Sequence, residues 1–173
     1  MIKSKKSFSV SLMAALTMMI AGAAGFAQRH FMLSNATRPD VKMRLSAAVE
    51  RDSGAVPLSK ETVVNPGDVL DWTITSENDG NAQAVEYKAV GHIPRGTTFV
   101  AKSAKADGAA NALYSIDGGK SYSPQPLIEE KQADGSTKWV AAPVSMYTDV
   151  RYEWADPLAP GGKLSASYRV RVK

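Results

Sequence analysis

The sequence predicts an all-β fold, with two antiparallel sheets packed face to face as a sandwich. Three observations lead there. Apolar and polar residues alternate along several stretches, most clearly where Leu164, Ala166, Tyr168, Val170 and Val172 are interleaved with Lys163, Ser165, Ser167, Arg169, Arg171 and Lys173; that period of two marks a strand with one face on a core. Turn residues such as Asn65-Pro66-Gly67-Asp68 and Asp117-Gly118-Gly119 punctuate the chain between these stretches. No run carries a convincing 3.6-residue apolar period, so the strands have only one another to pack against.

The chain begins with Lys3, Lys5 and Lys6, continues through an apolar stretch from about Val10 to Ala24, and reaches Gly25-Phe26-Ala27 before Gln28. This is the plan of a cleavable secretory signal peptide over residues 1–27, in which small Gly25 and Ala27 suit a signal peptidase. A membrane span needs about 20 apolar residues, and this run is shorter and diluted by Ser11, Thr17 and Gly22. Residues 28–40 hold Asn35, Arg38 and Pro39 without a sustained period and read as a flexible lead-in. A single β-sandwich domain is expected over residues 41–173.

Order begins at Val41, where Val41, Met43, Leu45, Ala47 and Val49 share one face of a strand. In Asn65-Pro66-Gly67-Asp68, Pro presets φ and Gly supplies a positive φ. Leu70, Trp72 and Ile74 then oppose Asp71, Thr73 and Thr75 until Asn78-Asp79-Gly80-Asn81 breaks the run. Val85, Tyr87 and Ala89 form the next apolar face, Ile93-Pro94-Arg95-Gly96 ends it, and Phe99 and Ala101 share the face after that. Ala112, Tyr114 and Ile116 lead into a tight hairpin at Asp117-Gly118-Gly119, with Lys120 to Ser123 returning. Residues 124–137 read mostly as loop, with short strands near Ile128 and Trp139. Val150, Tyr152 and Trp154 form the penultimate strand. The inner faces are expected to hold Trp72, Tyr87, Phe99, Tyr152, Trp154 and Tyr168.

Composition narrows the functions open to such a domain. The 173 residues include no cysteine, which removes thiol catalysis, Cys-ligated zinc, disulfides and the Cys of a lipoprotein. A folded chain of roughly 150 residues hides about two-thirds of its unfolded surface and can be stable on its core alone. The formal charge is +4, but the three leader lysines supply most of it. The remaining 18 basic residues, 21 less three, face 17 acidic ones, so no field is left to attract nucleic acid.

A family likeness follows from the turn motifs. Val64-Asn65-Pro66-Gly67-Asp68-Val69-Leu70-Asp71-Trp72-Thr73-Ile74-Thr75, then Asn78 and Gly80, then Ile93-Pro94-Arg95-Gly96-Thr97-Thr98-Phe99-Val100, resembles the bacterial repeat called domain of unknown function eleven. Tyr114-Ser115-Ile116-Asp117-Gly118-Gly119-Lys120-Ser121-Tyr122 and Leu158-Ala159-Pro160-Gly161-Gly162 are similar to it too, so the resemblance covers about residues 41–173 in order. It implies an immunoglobulin-like antiparallel β-sandwich of envelope and secreted proteins, used as a spacer or adhesive module, with no catalytic residues to carry over.

Chemistry-bearing residues are few. His30 lies in the lead-in and His92 on a polar parity, and the sequence displays no partner for a metal site or a nucleophile–base array. Asp79, beside Asn78 and Asn81, and Asp117 offer oxygens that suit calcium, but the spacing matches no EF-hand loop and turn formation explains them without a metal. Asp71 and Glu153 could be paired as catalytic carboxylates, but both sit on polar strand parities. The cations from Lys163 to Lys173 read as a device that keeps a sheet edge from pairing, or as a basic stripe for acidic polymer or lipid headgroups. No catalytic, cofactor-binding or metal residues are assigned. The expectation is an exported, non-catalytic structural or interaction module of the bacterial cell envelope, touching an envelope protein or polysaccharide, in the periplasm, at the envelope or outside the cell. The alternative is a small carbohydrate- or peptide-binding protein gripping through loops 76–84 and 123–138.

Overall fold

The computed structural model describes residues 37–173; the leader expected over residues 1–27 and residues 28–36 of the lead-in lie outside the described residues. Eleven strands follow in chain order: β1 (Val41–Arg51), β2 (Gly54–Pro57), β3 (Val69–Asn78), β4 (Lys88–His92), β5 (Thr97–Phe99), β6 (Lys105–Ala106), β7 (Ala110–Ser115), β8 (Leu127–Lys131), β9 (Thr137–Ala141), β10 (Asp149–Trp154) and β11 (Lys163–Val172). The larger sheet has the order β2-β1-β3-β11-β5, with β6 also on β11; the smaller has the order β4-β10-β7; β8 and β9 form a separate ribbon. Every ladder is antiparallel.

The period of two decides which residues meet. Register sets Leu70 beside Val49 and Val170, Trp72 beside Ala47 and Tyr168, and Ile74 beside Leu45 and Ala166, all on one face of the larger sheet. Ala89, Val150, Tyr152 and Trp154 come from the smaller sheet, and these residues close on one core with Phe99 and Ile93. Two hydroxyls tie the layers together: Tyr152 donates to the Ser167 carbonyl at 2.7 Å and Tyr168 to the His92 carbonyl at 2.6 Å. Burial pushes both phenols above the ordinary tyrosine range, so they remain donors at any pH the fold meets. Phe99, Tyr114 and Tyr147 stack with ring centroids 4.9–5.7 Å apart at the β5–β7 side.

These contacts also fix the offset of the layers. Tyr168 of β11 lies under Gly91 of β4, Tyr152 of β10 reaches β11, and Phe99 of β5 meets Tyr114 of β7. The three strands of the smaller sheet therefore cover β3, β11 and β5, and β1 and β2 overhang. Leu58, continuing β2 beside Ala47, and Val64 pack against the core at the Val49 end. Nothing described covers the other half of β1. Met43 is 59% exposed and Leu45 55%, so the expectation that the whole apolar face of β1 meets the core is corrected: only Val49 is buried there.

Other expectations change for local reasons. Val85 is exposed and Glu86 takes a positive φ of 50°, so β4 starts later and turns Ala89, Gly91 and Ile93 inward. Ala101 is exposed because β5 ends at Phe99. The returning strand expected at Lys120 to Ser123 is a single bridge, Tyr114 to Ser123, since Asp117 holds a wider loop. The short strands near Ile128 and Trp139 are β8 and β9. Arg38 and Asp40 are tied to Asn81 and Asn78, so the described end of the lead-in is fixed to the domain. The turn before β3 is as expected, with Asp68 N–H donating to Asn65 at 3.1 Å and Gly67 at φ 91°.

Two substitutions test the core. Trp154 stacks on Tyr87 and donates from Nε1 to the Asp107 carbonyl at 2.8 Å, so Trp154→Ala should cost about 3–5 kcal/mol in a denaturant melt. Half-buried Trp72 should cost less, and equal losses would contradict the layer offset. A Cβ at Gly91 would overlap the Tyr168 ring, and Gly91→Ala should cost about 1–3 kcal/mol from overpacking.

Candidate functional site

The outer face of the smaller sheet carries Lys88, Val90 and His92 from β4 beside Asp149, Arg151 and Glu153 from β10. Register places His92 opposite Asp149, and its Nδ1 lies 3.0 Å from Asp149 Oδ1. The Asp149 side chain is only 10% exposed and that of His92 67%, so a buried carboxylate holds an imidazole whose far edge faces water. Asp149 Oδ2 is buried without a partner in the structure. Tyr122 covers this spot from the loop after β7, its ring 4.1 Å from the Arg151 guanidinium. Burial, then the Asp149 charge, pushes its hydroxyl up. A Cβ on Gly119 would stand 3.0 Å from the Tyr122 hydroxyl and 3.7 Å from Asp149 Oδ2, so the glycine lets the loop close here. Arg151 continues to Glu153 at 2.8 Å, which Lys88 approaches at 3.5 Å.

An aspartate orienting a histidine is two-thirds of a nucleophile–base array. Among the described residues no hydroxyl is bonded to the His92 imidazole, so what the geometry shows is a carboxylate fixing the orientation of a ring. Sequence reading missed Asp149 because it lies 57 residues from His92. The available signal was its place at the head of a strand whose other parity is Val150, Tyr152 and Trp154.

The remaining candidates are separated or already engaged. Asp117 Oδ1 accepts from Ser115 Oγ and the N–H groups of Lys120 and Ser121, and Oδ2 accepts from Ser121 Oγ. These bonds hold its carboxyl well below the usual range and use its oxygens for loop closure. Asp79 pairs with Lys42. Among the described residues no three His, Asp or Glu side chains converge as a metal site. Asp71 and Glu153 stand on the outer faces of opposite sheets, with the core between them, so they form no pair.

The basic strand is corrected in place and in partners. β11 lies between β3 and β5 rather than at an edge, and its cations are used within the sheet. Lys163 meets Glu77 at 3.0 Å, Arg169 meets Glu50 at 3.1 Å, and Arg171 donates to the Gly67 carbonyl at 3.0 Å. Opposite Arg169 in the β3–β11 register, Asp71 Oδ1 is buried without a partner. Burial first, then Glu50, pushes the Asp71 carboxyl up, against Arg169 and Lys105.

The expected gripping loops differ too. Ser76–Asn78 belongs to β3, and Asn78 ties the turn by accepting from Asp40 and Gly80 N–H and donating to the Ala82 and Leu158 carbonyls. Residues 127–141 are mostly the β8–β9 ribbon, fully exposed on the face that carries Trp139, which is 61% exposed. Comparison of the chain with protein-family models, curated proteins and solved structures finds no match.

Two carboxylates should shift stability with pH in opposite senses. A depressed pKa stabilises the fold above the ordinary carboxylate range and loses that contribution as pH falls. Asp117→Ala should therefore melt lower than the parent at pH 7, the gap narrowing toward pH 2. A raised pKa marks a charge the fold disfavours, so Asp71→Asn should melt higher at pH 7 and equal the parent at pH 3. Parallel curves across that range would refute both assignments.

Proposed function

We propose that the chain is an exported, non-catalytic interaction module of the bacterial cell envelope with an immunoglobulin-like sandwich as its body. The single observation that carries the reading is the uncovered half of β1, where Met43 and Leu45 present apolar side chains beside the edge of the smaller sheet. A sandwich that buried its own faces would cover this strip, and exposed apolar surface of this kind marks contact with another molecule. The leader-like first 27 residues and turn motifs that resemble those of envelope repeats support export and the immunoglobulin-like body.

A second reading has its own observation. Trp139 stands on the fully exposed face of the ribbon, and an exposed indole is a platform for a sugar ring or a peptide. In that reading the ribbon is the grip.

Expression from the natural leader should place the protein in the envelope or medium, and photo-crosslinkers at Met43, Trp139 and Thr75 should identify the contact face. Adducts through Met43 are expected. Adducts confined to Trp139, with a hit on a glycan array, would favour the second reading; cytoplasmic retention or turnover in a hydrolase screen would refute the first.

A further inference from the structure

The overhang of β1 lies beside a strand edge with free ladder groups. Ile93 N–H donates to the Thr148 carbonyl and Trp154 N–H to the Tyr87 carbonyl, both at the hydrogen-bonded register between β4 and β10. Hydrogen-bonded pairs alternate along an antiparallel ladder, so Gly91 and Ala89 also turn their backbone groups toward β10. Lys88, Val90 and His92 turn theirs away. The His92 carbonyl is taken by Tyr168; among the described residues no strand pairs with β4 on the side that the backbone groups of Lys88 and Val90 face. One strand position beside β4, above Met43 and Leu45, is therefore bounded by a ladder edge and an apolar floor.

The shape of the overhang selects the occupant. If β4 of a second copy paired antiparallel to β4, the two-fold axis would stand perpendicular to the sheet. Both larger sheets would then lie on the same side, and each copy's β1 and β2 would occupy the place of the other's β3 and β11. Parallel pairing would turn the partner over and lay the polar face of its β4, with Lys88 and His92, on Met43 and Leu45, at a desolvation cost. A lone extended segment meets neither obstacle. We infer that the slot beside β4 binds an extended segment of another polypeptide by strand addition, with apolar residues on the parity facing Met43 and Leu45 and polar residues on the other. This inference rests on the interaction-module reading and names its partner class. The backbone ladder supplies affinity whatever the side chains, and the alternating floor supplies selectivity.

The probe is a synthetic peptide of about seven residues alternating valine or isoleucine with glutamate and threonine, compared with its scrambled sequence. Added to the exported full-length protein, the ordered peptide should slow amide exchange at Lys88 and Val90, and the scrambled one should not. Leu45→Glu should weaken binding about ten-fold or more. Val90→Pro removes an N–H that points away from β10, so it should abolish the exchange effect while the melting temperature stays near the parent's. Should that variant unfold, Met43→Glu on the overhang tests the floor without touching β4.

Peptide binding that leaves Val90 unprotected would overturn the inference. So would a dimer that Leu45→Glu disperses, or protection of Val90 already present before peptide is added. Crosslinks to an envelope partner from Thr75 or Trp139 but never from Met43 would refute the slot and leave the module reading intact. Their absence from all three positions would defeat both.

Discussion

The architecture depends on Tyr168 packed beneath Gly91. The ring fills the space that any side chain at position 91 would need, and the hydroxyl reaches past it to the His92 carbonyl. One contact thus sets both the spacing of the two sheets and their lateral offset. With β4 centred over β3 and β11, β10 and β7 fall over β11 and β5, and the aromatic stack of Phe99, Tyr114 and Tyr147 can form. Without cysteines to clamp the layers, this interdigitation and the two tyrosine hydrogen bonds across the core do the aligning.

The same contact makes the layers unequal. Five strands lie side by side below three, and a layer centred on Tyr168 cannot also cover β1 and β2. The chain deals with one end by folding Leu58 and Val64 back onto the core. At the other end Met43 and Leu45 stay open. The polar outer faces, by contrast, carry cross-strand pairs: Glu50 with Arg169, Glu77 with Lys163, and Glu153 with Arg151 and Lys88. Exposed pairs of this sort contribute little stability, but they leave those cations with partners already in hand.

The strands were legible in the sequence wherever one face is buried along its length. β10 and β11 match their alternating residues, because the core imposes the period directly. β1 shows the limit of that signal. Its alternation is as regular as that of β11, yet half of it faces solvent, since a period of two reports that a face is apolar and not what covers it. Asn78 and Ser76 are buried on the inner parity of β3 although both are polar; the Asn78 side chain satisfies backbone groups that no periodicity reveals. Asp149 escaped for the same reason. Its partner is fixed by register between strands distant in sequence, and register depends on the whole sheet.

The β8–β9 ribbon stands apart from this economy of burial. Only Ile128 and Val140, a cross-strand pair, are half-buried along it, so its opening involves little of the core. Two-stranded hairpins are marginal alone, and the ribbon should open at far lower free energy than the sheets. Among the described residues, its tip at Gln132–Ser136 is accordingly an exposed site for proteolytic nicking, and one where an inserted tag or a grafted sequence would be tolerated without loss of the fold.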